Sequence, residues 1–527
     1  MVLQSVNDFH QDEEGGILVF AGLSLAVMFG MAAMVFDMGR MATTQTELQT
    51  FADNVALAAA GELDGATDSV TRANLAAANL TSGHQTFGQG NNVLSGAVDY
   101  SLCYTEILPA DDLAPINCMA DPLDTDNQQL AAYVEVTVTP RDVDLPFARV
   151  LAGLTDNAEP DNTVSAVAVA GFVTYACDIT PLMFCIPDAD WGADANAGQS
   201  VFLRSGGNGA QWGPGAFGFL DVTAASVADP SGPCAGLNGS KLTACMIAAV
   251  NNINACFTQR GVDIEPGQKV GIENAIFNTR FDMFNSTMSQ FANNPEYAPG
   301  PHVAKGFKAK NGNGQCIGQA TELTDNTIAF PPDLSFPNGG RFGTGLWDVN
   351  GYIETNHGQI TTTDSDGNEV EVSAPSYMYD ELVTYVASNP TASRYDIYKE
   401  EIRQATLVDV DGNVTYRDIF ENRDETGSAQ CSAPSNVIPF DPDNQASIDR
   451  RLFVAAAIDC DANPISGAQK NVPVKEFVKI FLTQPVGEST TNPPNFEFYV
   501  EVVGSAGGLG KGSQVNGAFN DVVQLYR

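Results

Sequence analysis

The chain has 527 residues, with 25 Lys+Arg against 64 Asp+Glu and a formal net charge of −39. That length exceeds one hydrophobic core and implies two or three domains, while a hydrophobic share of 44% excludes wholesale disorder. The charge excludes a nucleic-acid binder, which needs a basic face for phosphates. It also disfavours charge-driven docking to anionic lipid.

Residues 1–15 form an acidic tail, MVLQSVNDFHQDEEG, without Lys or Arg. Gly16–Phe36 follows, GILVFAGLSLAVMFGMAAMVF, 21 residues without a charge. At 1.5 Å per residue this is about 31 Å, the thickness of a bilayer's hydrocarbon core. A cleavable signal peptide needs a positive leader and a shorter apolar run. The segment therefore reads as an uncleaved transmembrane anchor.

The helical pattern continues past the span. Met38, Met41, Leu48, Phe51, Ala52, Val55 and Ala59 recur largely at spacings of three and four, and no Pro or Gly interrupts Met41–Ala60. The polar run Thr43–Gln49 covers the other side. One helix from Gly16 to Glu62, roughly 70 Å long, is predicted. Its second half must pack an apolar stripe on something, with Leu48, Phe51 and Val55 as packing residues.

Ten cysteines lie beyond residue 100, with no C-x-x-C, and the chain has four histidines. Metal-ligand spacing is absent, and the even, scattered count fits disulfides in an oxidising compartment. The candidate pairs nearest in sequence are Cys103–Cys118, Cys177–Cys185 and Cys431–Cys460, though spacing does not determine connectivity. Arg40 is the first basic residue after the span, and the positive-inside rule applied to it alone places the body in the cytoplasm. Ten cysteines argue for the opposite side and outweigh one charge.

The N-terminal region resembles that of the TadG-like proteins of the tight-adherence (Flp-type) pilus assembly system, the TadE/TadG-like region. Gly16 opens the apolar run, Asp37 and Arg40 supply Asp-x-x-Arg, Leu48-Gln49 and Ala52-Asp53 follow, and Ala56–Ala60 is Ala-rich. Shorter likenesses are ITPLMFCIP (Ile179–Pro187), WGPGAFGFLDV (Trp212–Val222), NTRFD (Asn278–Asp282) and DVVQLYR (Asp521–Arg527). Two family features are missing. Ala21 and Phe20 stand where a prepilin peptidase needs Glu after Gly16 or Gly15, so an unprocessed N-terminus is expected. The metal-site string Asp-x-Ser-x-Ser of a von Willebrand factor A domain is also absent.

In the body, helices are expected at Asp68–Asn79 and Phe147–Leu154. Strands are expected at Val93–Leu102, Ala131–Thr139 and Thr163–Ala170, the second alternating at Val134, Val136 and Val138. Beyond residue 176, Lys241–Gln259 reads as one helix and Asp380–Ala387 as another. Asn293–Gly345 reads as an irregular excursion carrying a solvated basic spot at Lys305, Lys308 and Lys310. Leu452–Ile458, Glu476–Leu482 and Phe496–Val503 read as strands or buried segments. No internal repeat is visible.

Two D-x-D-G-N strings, with oxygen ligands at Asp364, Asp366 and Asn368 and at Asp409, Asp411 and Asn413, are candidate calcium ligands. Their Gly falls fourth where an EF-hand needs it sixth, and Asp-Gly between strand-like runs is a hairpin signal. Residues 504–513, GSAGGLGKGS, fail the phosphate-loop pattern at Ser505 and Gly512. No hydrolase, zinc-protease or dinucleotide motif occurs, so the residues give enzymatic activity no support.

The expected fold class is α+β. A long N-terminal transmembrane and amphipathic helix packs on a pilin-like antiparallel sheet, followed by a larger mixed α+β periplasmic domain. The expected divisions are 1–15 tail, 16–36 span, 37–175 pilin-like module and 176–527 periplasmic domain with long loops. The resemblance implies a single-pass protein of the bacterial inner membrane with its C-terminal body in the periplasm. It would meet other pilus-assembly proteins and need no cofactor, nucleic acid or small-molecule substrate. Two rival readings are a calcium-dependent surface adhesin or envelope-binding protein, and a membrane-tethered periplasmic hydrolase.

Overall fold

The structure is a computed structural model. It describes residues 15–80, 82–87, 92–95, 98–109, 111, 113–155, 162–177, 179–205, 212–222, 226–227, 234–250, 255–258, 261–265, 273–284, 286–308, 322–323, 329–421, 427–444, 447–488, 496–508 and 519–526. The chain forms two compact units, residues 1–173 with 522–527, and residues 174–521. Residues 522–527, at the C-terminus, group with the first unit.

In the first unit, helix α1 spans Gly15–Ala60 without interruption, 46 residues. Gly61 closes its last turn through a bond from its amide to the Leu57 carbonyl. Helix α2 (Ser69–Leu80) lies against it, with Val70, Ala73 and Ala77 in the shared core. Their small side chains let two helices approach closely. Strands β1 (Tyr100–Thr105), β2 (Tyr133–Val138) and β3 (Val167–Cys177) follow, with helix α3 (Pro146–Thr155) between β2 and β3.

β2 pairs antiparallel with β1 on one side and β3 on the other. Val134, Val136 and Val138 are fully buried, and the residues between them are half-buried on the opposite face, the period-two alternation of a half-covered strand. The C-terminal strand Phe519–Leu525 also pairs with β3. Tyr526 then packs edge-on to Tyr133, with centroids 5.2 Å apart. Gly171 makes this possible, because a Cβ there would stand 2.4 Å from the Tyr133 ring.

The second unit is built on β4 (Leu182–Cys185), β5 (Ser200–Ser205), β6 (Ala216–Leu220), β7 (Leu452–Ile458), β8 (Glu476–Leu482) and β9 (Phe496–Gly508). Neighbours run β6–β4–β7–β8–β9–β5 and back to β6, so six strands close a barrel. β4 runs parallel to β7 and β5 parallel to β6, and the other pairs are antiparallel. Closure leaves no bare edge within the ring. β4 and β6 are buried along their whole length, which explains their unbroken apolar sequence.

Helices α4 (Val349–His357), α5 (Tyr379–Ser388) and α6 (Arg394–Ala405) contribute to a further core with Phe330, Phe420 and Phe481. α6 begins on a capping box, Ser393 with Asp396. Glu501 of β9 accepts the Arg394 and Tyr395 amides at 2.8 and 2.9 Å, placing a carboxylate at that helix's positive end.

Several elements differ from the sequence reading. Lys241–Gln259 is not one helix. Helix stops at Ala248, Ala249 turns extended, and Ala255–Thr258 is a strand whose Cys256 is bonded to Cys177. Thr163–Ala170 divides into Thr163–Val164 and the start of β3. Val93–Leu102 likewise divides into Val93–Ser95 and the start of β1. Lys305 is buried rather than solvated; Lys310 and the Lys308 side chain lie outside the description.

Candidate functional site

The feature that stands apart chemically is α1. Its first half is bare: Phe20 (74% exposed), Phe29 (70%) and Val35 (70%) have no protein over them. The stretch is long and apolar enough to cross a membrane. Its second half is core. Leu48, Phe51, Ala52, Val55, Ala56 and Ala59 are buried together with Val134, Val136 and Val138. One helix thus carries two surfaces, one for lipid and one for protein.

The change occurs at Asp37 and Arg40. Asp37 is buried, and its Oδ2 accepts the Ala148 amide at 2.6 Å. Its Oδ1 has no hydrogen-bond partner among the described residues. Arg40 donates from Nη1 to the Asp144 carbonyl at 3.0 Å and pairs with the Asp144 carboxylate at 3.4 Å. Its guanidinium also lies 5.1 and 5.0 Å from the Phe36 and Phe87 ring centroids. Asp-x-x-Arg is therefore a docking element: its acid holds the start of α3 and its base holds the loop before it.

Further along, Gln45 and Gln49 donate to the Ser165 and Val167 carbonyls at 2.8 and 3.0 Å. Gln49 also reaches Asp53. Glu47 accepts the Thr86 amide and hydroxyl. Polar residues thus flank the apolar stripe and tie the helix to the backbone of loops and of the start of β3. Beside them a groove of ≈ 400 Å³ opens along Thr46, Glu47, Thr50 and Ser82–His84. The hydroxyls of Thr43, Thr46 and Thr50 donate to carbonyls one turn back, so they are already engaged.

In the second unit, both D-x-D-G-N strings are hairpin turns, between Ile360–Thr363 and Glu369–Ser373 and between Thr406–Val408 and Val414–Tyr416. Asp364 accepts the Asp366 and Asn368 amides, and Asp409 accepts those of Asp411 and Asn413. Hydrogen bonds, led by the Asn368 amide at Asp364 and by the Asn413 side chain at Asp409, pull both carboxyl groups below the usual range. Gly367 and Gly412 have φ of 84° and 83°, the conformation such turns require of glycine. Among the described residues no group of three His, Cys, Asp or Glu is arranged to hold a metal ion.

The cysteines pair as Cys103–Cys118, Cys177–Cys256, Cys185–Cys460 and Cys234–Cys245. Cys431 is also disulfide-bonded. Cys177 does not pair with Cys185, nor Cys431 with Cys460. Barrel closure decides this, because parallel pairing sets Cys185 opposite Ile458, two residues before Cys460. Proximity in sequence carries no such information.

Two of the four histidines meet in a cluster that sequence reasoning missed. Glu401 of α6 takes Nε2 of His302 at 2.7 Å, Nε2 of His357 at 2.8 Å and the Tyr352 hydroxyl at 3.0 Å. His302, His357 and Glu401 are all fully buried. Burial raises the Glu401 carboxyl, but hydrogen bonds from both histidines outweigh it and hold the group down to about 2. Burial likewise lowers His302, against the pull of Glu401. The two ring nitrogens and the phenol together satisfy the buried carboxylate. No solvent reaches them, so the cluster is a core network.

The NTRFD stretch is also internal. Asn278 bridges the Val486 backbone, Arg280 donates to the Arg450 and Ile247 carbonyls, and Asp282, at φ 60°, accepts the Gln430, Cys431 and Ser432 amides. These residues hold loops together.

Residues 15–62 match the family described as putative Flp pilus-assembly TadE/G-like. The matched stretch is α1 and the two residues after it. Neither a curated protein nor a solved structure matches the chain at a significant level. The apolar N-terminal helix together with the disulfides marks a membrane-anchored, extracytoplasmic protein.

Proposed function

We propose that this chain, whose residues 15–62 form a TadE/G-like Flp pilus-assembly region, is a structural component of that machinery. Residues 16–36 cross the inner membrane once and the body stands in the periplasm. It works through protein–protein contacts, with no cofactor. The observation that carries this reading is the division of α1 into a bare apolar half and a half buried on an antiparallel sheet. An anchor alone needs only the first half. A second half fused rigidly to a folded body fixes that body's position relative to the bilayer, which is what an assembly subunit needs.

Two experiments test it. Alkaline phosphatase fused after residue 175 should be active, since that enzyme needs an oxidising compartment, and activity only from a cytoplasmic reporter there would reverse the topology. Crosslinkers placed at Thr46 or Thr50 and activated in membranes should capture other pilus-assembly proteins. A chain that crosslinks to nothing at either position would remove the assembly role.

A further inference from the structure

We infer that α3 is an interfacial helix, its outer face seated in the boundary layer of the membrane beside the point where α1 emerges. The inference rests on the reading of α1 as a membrane span. α3 begins where α1 ends its apolar run: Phe147 meets Phe36 edge-on at 5.6 Å, and Asp37 holds the Ala148 amide. The two helices are therefore at one level, that of the last uncharged residue and the first charged one.

The inward face of α3 is small, with Ala148 against the core and Ala152 buried. The outward face is apolar. Phe147 is 47% exposed and Val150 is 63% exposed. A soluble body has no reason to hold such a face toward water. Phe36, exposed at 52% and in ring contact with Phe147, carries the same apolar surface onto α1.

Continuity with the span names the occupant. An amphipathic helix at a membrane surface sinks its apolar face about 5–10 Å into the headgroup and acyl boundary. Arg149, half exposed beside Asp144, stands at this level and can extend its head toward water or phosphate, while Arg40 stays docked on Asp144. The chain's net charge of −39 opposes attraction to anionic lipid, so apolar contact has to supply the binding. Neutral lipid should therefore suffice.

The test uses the full chain in phosphatidylcholine vesicles. Every cysteine among the described residues is disulfide-bonded, so a single introduced cysteine can carry an environment-sensitive fluorophore. Three variants are compared: Val150→Cys, Leu25→Cys within the span, and Val410→Cys on a fully exposed turn. The probe at 150 should be quenched by lipid spin-labelled near the glycerol and shielded from aqueous iodide. The probe at 25 should be quenched by lipid labelled at the chain end, and that at 410 only by iodide.

Equal iodide quenching at 150 and 410, with 25 still quenched by lipid, overturns the inference and leaves the anchor intact. Shielding at 150 without lipid quenching overturns it too, since protein would then cover the face. Loss of lipid quenching at 25 removes the anchor and the inference together.

Discussion

Asp37 accepts the backbone amide of Ala148 at 2.6 Å, across 111 residues of chain. Ala148 is the third residue of α3, so this amide is one that an isolated helix leaves without a partner. A carboxylate there also meets the positive end of the helix dipole. The bond fixes the start of α3 to the end of the span.

Replacing Asp37 with Ala should therefore cost about 1.5–3 kcal/mol, the range for a hydrogen bond to a charged group. Asp37→Asn keeps an oxygen acceptor and loses the charge, so its cost should be smaller. Hydrogen exchange at the Ala148 amide, measured in detergent micelles, reads the effect locally. Protection should fall in the order wild type, Asn, Ala. Unchanged protection in the Ala variant would mean that the amide is held by something else.

Phe51 is 2% exposed and its ring lies 6.1 Å from that of Tyr100. Truncation to Ala removes core volume that helix and sheet cannot refill, at about 3–5 kcal/mol. Gln45→Ala loses one exposed bond to the Ser165 carbonyl and should cost under about 1 kcal/mol. Denaturant midpoints of the two variants in the full chain make the comparison. Equal, small effects would mean that the second half of α1 is a stalk and not a spine.

The first unit was legible because its signals are local. Helix periodicity in Met41–Ala60 and alternation in Val134–Val138 each need only a dozen residues of context. The second unit was not. β7, β8 and β9 could be read as apolar segments, but the barrel also needs β4 and β6, drawn from more than 230 residues earlier. Nothing local in LMFC or AFGFL says which strand it will meet. The Glu401 network was hidden for the same reason: its histidines stand 99 and 44 residues away from it. One local signal was overlooked, Ser393 and Asp396, which announce α6 as a capping box.

The Glu401 network makes stability depend on pH in one direction. His302 is held neutral by burial, below its ordinary value of 6.5. Facing it are Glu401, Arg451, His357 and the rings of Tyr398, Phe330 and Phe420. A group depressed in the folded state takes up its proton first in the unfolded state. Its contribution is whole above 6.5 and shrinks as pH falls below that value. Glu401, lowered from 4.5 to about 2, adds a second loss from about 4.5 downward. Each group gives a limiting slope of about 1.4 kcal/mol per pH unit. The melting temperature should therefore fall from pH 7 to pH 5, and His302→Gln should flatten that fall while lowering stability at pH 7. An unchanged pH profile in the Gln variant would assign the acid sensitivity elsewhere.

Cys185–Cys460 spans 275 residues of sequence and Cys234–Cys245 spans 11. The longer bond joins the end of β4 to the chain just past β7, two strands that pair in parallel. Parallel neighbours so distant in sequence must be brought together against the entropy of a long loop. Restricting that loop in the unfolded chain is worth more than restricting a short one, by about 3 kcal/mol for this pair of lengths if chain entropy alone decides. Cys185→Ala with Cys460→Ala should thus lower the urea midpoint of the second unit far more than Cys234→Ala with Cys245→Ala. Both double variants leave no odd thiol to scramble the remaining bonds. Cys185 and Cys460 are buried, so reductant should reach them only after the barrel has opened. Their reduction should then keep pace with unfolding in urea. Rapid reduction of this bond in folded protein, or a smaller loss from its removal than from the short one, would show that the barrel closes without its help.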